Sequence, residues 1–233
     1  MNINRVQKVI REKKSKICLA ADVKSVEELL EVADKMGPDI CILKIHYDII
    51  PDFQIKNCSE KLLELKNKHN FLVWEDRKYA DIGSIMERQI RVNVLPWADL
   101  VSVHPIPGLE SINAIPKEIG IILIGEMSCY GNLSDWKYIE SVTYLSKELT
   151  NCIGIVGQRD LKMMSNKLMF VPGISLSENS GDTKGQRYNT MKDRDFADVF
   201  VVGRSILNSS NPLETLKKFK TEAQLINNTS NMK

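Results

Sequence analysis

The chain has no apolar run approaching the roughly 18 residues of a membrane-spanning helix. It also lacks an excess of either charge. Its 32 basic and 30 acidic residues leave a net +2, which argues against a nucleic-acid footprint. Cysteine is sparse: five residues (18, 41, 58, 129 and 152), odd in number and without a CxxC spacing. That pattern excludes a zinc ribbon, a thioredoxin-like redox pair and a simple disulfide framework. Cys18, Cys41 and Cys152 fall in apolar stretches and read as reduced core residues of a cytoplasmic protein. The three histidines show no metal-ligand spacing. His69 reads as a bland residue, whereas His46 and His104 close apolar runs and stay open. Residues 1–16 are charged and periodic, with no signal-peptide core. No early Gly-rich phosphate loop is present.

What the chain does contain is enough apolar residue, 43%, for a sizeable core. It is laid out as short apolar runs separated by amphipathic or loop stretches. Strands are predicted at 17–23, 40–45, 71–78, 100–104, 119–126, 152–156, 168–171 and 199–202. An amphipathic helix leads at 4–14. The helix after the first strand begins at Ser25, whose hydroxyl and Glu28 form a capping box, and Gly37-Pro38 stops it. Further helices are predicted at 59–69, 82–93, 134–149 with Ser134 as cap, and 213–225, with a loop and helix over 105–115 and at most a short helix at 160–165. Residues 227–233 are rich in Asn and Ser and are expected to be a disordered tail. The strands are continuously apolar, as when both faces are covered. Eight βα units in about 200 to 250 residues, without a composition shift, predict one α/β domain over 1–226, a TIM (β/α)8 barrel. An open doubly wound sheet fits the count of eight less well.

The organising stretch is Trp74-Glu75-Asp76-Arg77-Lys78-Tyr79-Ala80-Asp81-Ile82-Gly83. Strand alternation puts Trp74, Asp76 and Lys78 on one face and Glu75 and Arg77 on the other. Asp81 lies just past the strand, where a loop can turn it back so that two carboxylates bracket the Lys78 ammonium. Lys44 ends another apolar strand. Lysine is costly to bury unless paired, so Lys44, Asp76, Lys78 and Asp81 are explained as one mixed-charge network in a site. A solvated run of charge is the bland reading, and the four apolar residues directly before the charges count against it. In a barrel the C-terminal strand ends carry the active site. Asp22, Lys24, Lys44, His46, Asp76, Lys78, Asp81, His104, Glu126, Ser128, Gln158, Pro172 and Arg204 fall there. Gly203-Arg204 after the last strand reads as a phosphate site, because glycine admits an anion to the backbone and arginine binds it. The long polar loop 173–188 reads as a lid.

Residues 75–83 resemble the signature of the orotidine 5'-monophosphate decarboxylases, in their eukaryote-like branch. The resemblance runs from about residue 17 to 219. It includes Leu43-Lys44-Ile45-His46, Glu126-Met127-Ser128-Cys129, Gln158-Arg159-Asp160, Val171-Pro172-Gly173, Gly185-Gln186-Arg187-Tyr188 and Val202-Gly203-Arg204. It implies decarboxylation of orotidine 5'-monophosphate to UMP, the last step of de novo pyrimidine nucleotide synthesis, by a cytoplasmic homodimer with no cofactor and no metal. Lys78 would protonate C6, Asp76 would sit against the departing carboxylate, and Lys44 would complete the charge network. Asp81, followed by Ile82 as a substrate contact, would reach the partner subunit's site. Asp22 would hold a ribose hydroxyl, Ser128 the pyrimidine edge and Pro172 the base pocket. Gln186, Tyr188, Gly203 and Arg204 would bind the phosphate.

Two positions depart from the family's pattern. Ala20 stands where Ser or Thr is usual, and Ile85 where Thr is usual. Two alternatives follow from the same residues: a magnesium-dependent sugar-phosphate enzyme of the same barrel group, and a non-catalytic nucleotide-binding homologue. No orotate phosphoribosyltransferase domain is expected within these residues, since the barrel takes them up.

Overall fold

The computed structural model describes residues 1–176 and 185–230. Eight parallel strands close into a barrel in sequence order: β1 Ile17–Ala20, β2 Ile42–Ile45, β3 Leu72–Tyr79, β4 Leu100–Val103, β5 Gly120–Ile124, β6 Cys152–Val156, β7 Leu168–Pro172 and β8 Val199–Val202. Closure leaves no sheet edge exposed. The helices are α1 Ile3–Lys13, α2 Val26–Met36, α3 Ile55–His69, α4 Gly83–Asn93, α5 Gly108–Asn113, α6 Trp136–Glu148, α7 Arg204–Leu207 and α8 Pro212–Ser230.

The continuous apolar strands are explained by two separate cores. The larger lies between the barrel wall and the outer helices and includes Leu19, Leu43, Val73, Val101, Leu123 and Val171. The smaller fills the barrel and includes Cys18, Ile42, Leu72, Trp74, Leu100, Ile122 and Phe170. Successive residues of a strand thus alternate between two apolar environments. Val6 and Val9 of α1 are fully buried in the inner core, so the leading helix plugs the N-terminal end of the barrel. Its start is capped by the Asn2 side chain, which accepts from the Arg5 N–H. The predicted Ser25 cap is also present, with its hydroxyl accepting from Glu28 N–H at 3.2 Å.

Some boundaries differ from the sequence expectation. β1 ends at Ala20, three residues early, because the chain there leaves the wall to present Asp22. α6 is capped by Asp135, not Ser134: Asp135 Oδ1 accepts from Tyr138 N–H at 2.8 Å, while Ser134 N–H is held by Asn132. α3 begins at Ile55, four residues before Ser59, without a side-chain cap that could have marked it. α8 continues to Ser230, so the tail expected to be disordered from Asn227 is helical to that point; 231–233 lie outside the described residues.

Candidate active site

The barrel interior changes character along its axis. Trp74 and Phe170, edge to face with ring centroids 5.5 Å apart, belong to the inner apolar core, and Trp74 also lines a cavity of about 230 Å³ at the C-terminal strand ends. Residues one further alternation along the strands are charged. Lys44 and Asp76 are buried there, and Lys78 is partly so. One oxygen, Asp76 Oδ2, receives both ammonium groups, Lys44 Nζ at 3.0 Å and Lys78 Nζ at 2.9 Å. Asp22 Oδ1 stands 3.8 Å from Lys44 Nζ on the other side. His46 Nε2 lies 3.0 Å from Lys44 Nζ and 3.4 Å from Asp76 Oδ2.

The charges settle one another. Burial alone would raise the Asp76 carboxyl, but Lys44 and Lys78 hold it well below the usual carboxylate range. Burial pulls the Lys44 ammonium down, and Asp76 and Asp22 more than offset it. Burial and then the Lys44 charge push His46 down to about 4, so its ring is neutral at pH 7. The second Asp76 oxygen, Oδ1, is buried with no hydrogen-bond partner among the described residues.

Local backbone geometry aims Lys78. The pairing of β3 with β4 shifts register between Glu75 and Tyr79, and Lys78 has φ of 61°. A left-handed lysine costs of order 1 kcal/mol or more. Lys78 N–H donates to the buried Ser102 hydroxyl at 3.0 Å, and Lys78 Nζ also donates to the Asp76 carbonyl. Face alternation survives the bulge: Asp76 and Lys78 face the cavity, while Glu75 and Tyr79 are buried and do not line it.

A strap formed by 185–189 borders the far side of the cavity. Arg187 N–H donates to Ser128 carbonyl at 2.7 Å, Asn189 N–H to Gly173 carbonyl and Ser175 N–H to Asn189 carbonyl. Gly173 makes this approach possible: its φ is +76°, and a Cβ there would collide with the Arg187 carbonyl oxygen. Gln186 then donates to Ser128 Oγ at 2.7 Å and accepts from Arg204 at 3.3 Å. Arg204 also stacks over the Tyr188 ring at 6.0 Å. The cavity therefore has a mixed-charge end, where Lys44 and Lys78 meet Asp22 and Asp76, and a second polar end where Gly203, Arg204, Gln186 and Tyr188 meet.

Residues 15–219 match the model of the "Orotidine 5'-phosphate decarboxylase / HUMPS family". The chain belongs to that family. It is 32% identical over 219 residues to the orotidine 5'-phosphate decarboxylase of Cyberlindnera jadinii, covering 87% of this chain and 82% of that protein. It is 34% identical over 232 residues to the uridine 5'-monophosphate synthase of Bos taurus, covering 94% of this chain but only 48% of that longer protein. Among solved structures, orotidine 5'-monophosphate decarboxylase from Methanocaldococcus jannaschii, complexed with the inhibitor BMP, superposes with a TM-score of 0.71 at 24% identity, covering 89% of this chain and 97% of that one. At that identity the likeness speaks to the barrel alone.

Set against the family pattern, Asp22, Lys44, Asp76, Lys78, Ser128, Pro172, Gln186, Tyr188, Gly203 and Arg204 all line the one cavity. Asp81 and Ile82 do not. The expected turn of Asp81 back toward Lys78 is absent within the chain: Asp81 Oδ1 accepts from Ile82 N–H at 2.7 Å, both residues are exposed, and α4 starts directly after them. Ile85 is likewise outside the cavity, whereas Ala20 lines it, 3.1 Å from where a Cβ on Gly203 would stand. Residues 177–184 of the expected lid lie outside the described residues.

Glu126, expected on the active-site face, points instead into a clamp, with Arg187 3.4 Å from one oxygen and Arg159 3.3 Å from the other. Gln158 holds Pro172 carbonyl and accepts from Asn189, tying β7 to the strap. Lys24 is exposed, and its N–H is taken by Glu28. His46, expected at the strand ends with the parity of Lys44, lines the cavity as expected. Ser102 is the contributor that the sequence pattern did not single out; its signal is a hydroxyl in an otherwise apolar strand. Among the described residues, one group of donors, on His46, Asp48 and Glu75, gathers within 4.8 Å. All three side chains are already engaged, by Lys44, by Arg77 at 3.3 Å and by the Tyr47 N–H at 3.2 Å.

Proposed function

We propose that this protein decarboxylates orotidine 5'-monophosphate to UMP, the last step of de novo pyrimidine nucleotide synthesis, without metal or cofactor. The observation that carries the reading is the alternation Lys44–Asp76–Lys78 on one carboxylate oxygen at one end of the cavity that also holds Gly203 and Arg204. Loss of CO2 leaves the bonding pair on C6 as a vinyl-type carbanion whose in-plane orbital is orthogonal to the ring π-system and is not delocalised by it. The enzyme must then lower the barrier by an amount toward the top of the roughly 8–23 kcal/mol range. A fixed ammonium where that charge develops is the strongest device these residues offer. Lys78 then transfers its proton to C6, and the neutral amine is reprotonated from solvent. Asp76 beside the substrate carboxylate adds a repulsion that departure of CO2 relieves.

At the other end, Arg204, Gly203, Gln186 and Tyr188 take the phosphate, and Ser128, which accepts from Gln186, reads the pyrimidine edge. Phosphate binding there engages the 185–189 strap and holds the ring against Lys78. The active form is a cytoplasmic homodimer in which Asp81 enters the partner's site. Support for that pairing is the exposed apolar surface of Ile82 and Ile85 beside Asp81. The magnesium-dependent sugar-phosphate reading is disfavoured because Lys44 and Lys78 already neutralise Asp76, where a dication would need free carboxylates.

The deciding experiment is UMP formation from orotidine 5'-monophosphate by the purified protein in a chelator. Turnover is expected. No UMP, with magnesium-dependent turnover of a hexulose or keto-gulonate phosphate instead, would overturn the reading.

A further inference from the structure

We infer that His46 is a positioning residue for the proposed reaction: its neutral imidazole accepts a proton of the Lys44 ammonium through Nε2 and locks Lys44 onto Asp76. An ammonium has three donors and no acceptor. Lys44 Nζ has Asp76 Oδ2 at 3.0 Å and His46 Nε2 at 3.0 Å, with Asp22 Oδ1 at 3.8 Å. Two donors are therefore committed, and the third is left toward Asp22 and the cavity. Without the imidazole, Lys44 has two carboxylates to choose between, and nothing fixes which one it serves.

The ring is held in place from behind the wall. His46 precedes a single 3-10 turn, Tyr47–Ile49. Tyr47 N–H donates to Glu75 Oε2 at 3.2 Å, and Asp48 pairs with Arg77 at 3.3 Å, so both ties run to β3. The element carrying His46 is thus fastened to the strand carrying Asp76 and Lys78.

The charges around the ring decide its proton. Lys44 comes from β2, Asp76 and Lys78 from β3, and Asp22 from the loop after β1; Asp48 and Glu75 approach from behind, with donor atoms within 4.8 Å of a ring nitrogen. Two ammonium groups already share one carboxylate oxygen, and an imidazolium would be a third cation on it. The ring accordingly carries its proton on Nδ1 and presents Nε2 as an acceptor, a tautomer set by its partner.

Two measurements test this, one independent of the proposed activity. The ¹⁵N shifts of the His46 ring in the whole protein should report Nδ1–H with Nε2 unprotonated and unchanged from pH 5.5 to 8. An Nε2–H tautomer, or titration near the ordinary histidine value, would overturn the inference whether or not the protein makes UMP. In steady-state kinetics His46→Leu should lower kcat/KM by roughly 10- to 100-fold, the worth of a charge-assisted hydrogen bond, mostly in kcat. His46→Gln, whose amide oxygen can reach the same point, should recover most of that loss. No loss in the leucine variant, or equal loss in both variants with native melting curves, would refute a positioning role. Absence of UMP formation by the unsubstituted protein would count against the decarboxylase reading instead, and the ring tautomer would still decide this one.

Discussion

Glu75 gives the most quantitative expectation. It is fully buried on β3, with Oε2 accepting from Tyr47 N–H and Oε1 lacking a hydrogen-bond partner among the described residues. Burial pushes its carboxyl from 4.5 up to about 8, with Asp48 and Asp76 adding to the rise. Between those values the folded state keeps a proton that the unfolded chain has lost. Stability is therefore full below about pH 4.5 and is lost as pH rises through about 8. At about 1.4 kcal/mol per pH unit, the whole interval amounts to roughly 4 to 5 kcal/mol, of which roughly 3 is already lost at pH 7. That is a large share of a typical domain's roughly 5–15 kcal/mol. Glu75→Gln is neutral at every pH and keeps an acceptor for Tyr47. Urea unfolding of the two proteins from pH 4.5 to 8.5 should show near-equal stability at the acid end and a gain for the glutamine variant that grows to roughly 3 kcal/mol at pH 7. A difference that stays constant with pH would refute the protonated Glu75. So would a glutamine variant that is less stable throughout, because Glu75 would then be ionised and paired.

Lys78→Ala should abolish nearly all turnover while the melting curve stays near that of the unsubstituted protein, since Asp76 retains Lys44 and no core volume is lost; a variant keeping more than a small fraction of kcat would remove Lys78 as proton donor. Mixing Lys78→Ala with Asp81→Ala subunits should restore some activity through heterodimers with one intact site, and none after confirmed subunit exchange would refute the shared site. Orotidine without its phosphate should be a far poorer substrate than loss of one contact would make it, and equal kcat/KM for the two would rule out a role for phosphate binding in orienting the ring. Exhaustive chelation should leave UMP formation unchanged, whereas a loss that magnesium restores would shift the reading to the magnesium-dependent sugar-phosphate enzymes of the same barrel group.

Much of this protein follows from local pattern. The βα alternation, the continuous apolar strands and the shared face of Trp74, Asp76 and Lys78 are consequences of a two-residue strand period that any reading of the chain can apply. The period even survives the bulge at Lys78. The Ser25 cap was legible because the hydroxyl and the N–H it accepts from are three residues apart. Helix ends without such a local partner, as at Ile55, or with two competing candidates, as at Ser134 and Asp135, were not.

Tertiary structure decided whatever depends on which distant groups meet and how much water reaches them. Ser128 and Gln186 are 58 positions apart, and their hydrogen bond exists because Gly173 lets the strap cross the end of β7. Asp81 is close to Lys78 in sequence, yet the start of α4 turns it to solvent, so short spacing misled where the chain changes element. Glu126, alike in the sequence to the site carboxylates, is consumed by two arginines. Glu75 and Asp76 are neighbours on one strand with opposite fates. Both are buried, but Asp76 meets two ammonium groups inside the barrel, and Glu75 meets only a backbone N–H behind it. Burial penalises each charge alike, and only the partners brought by barrel closure determine which carboxylate stays ionised.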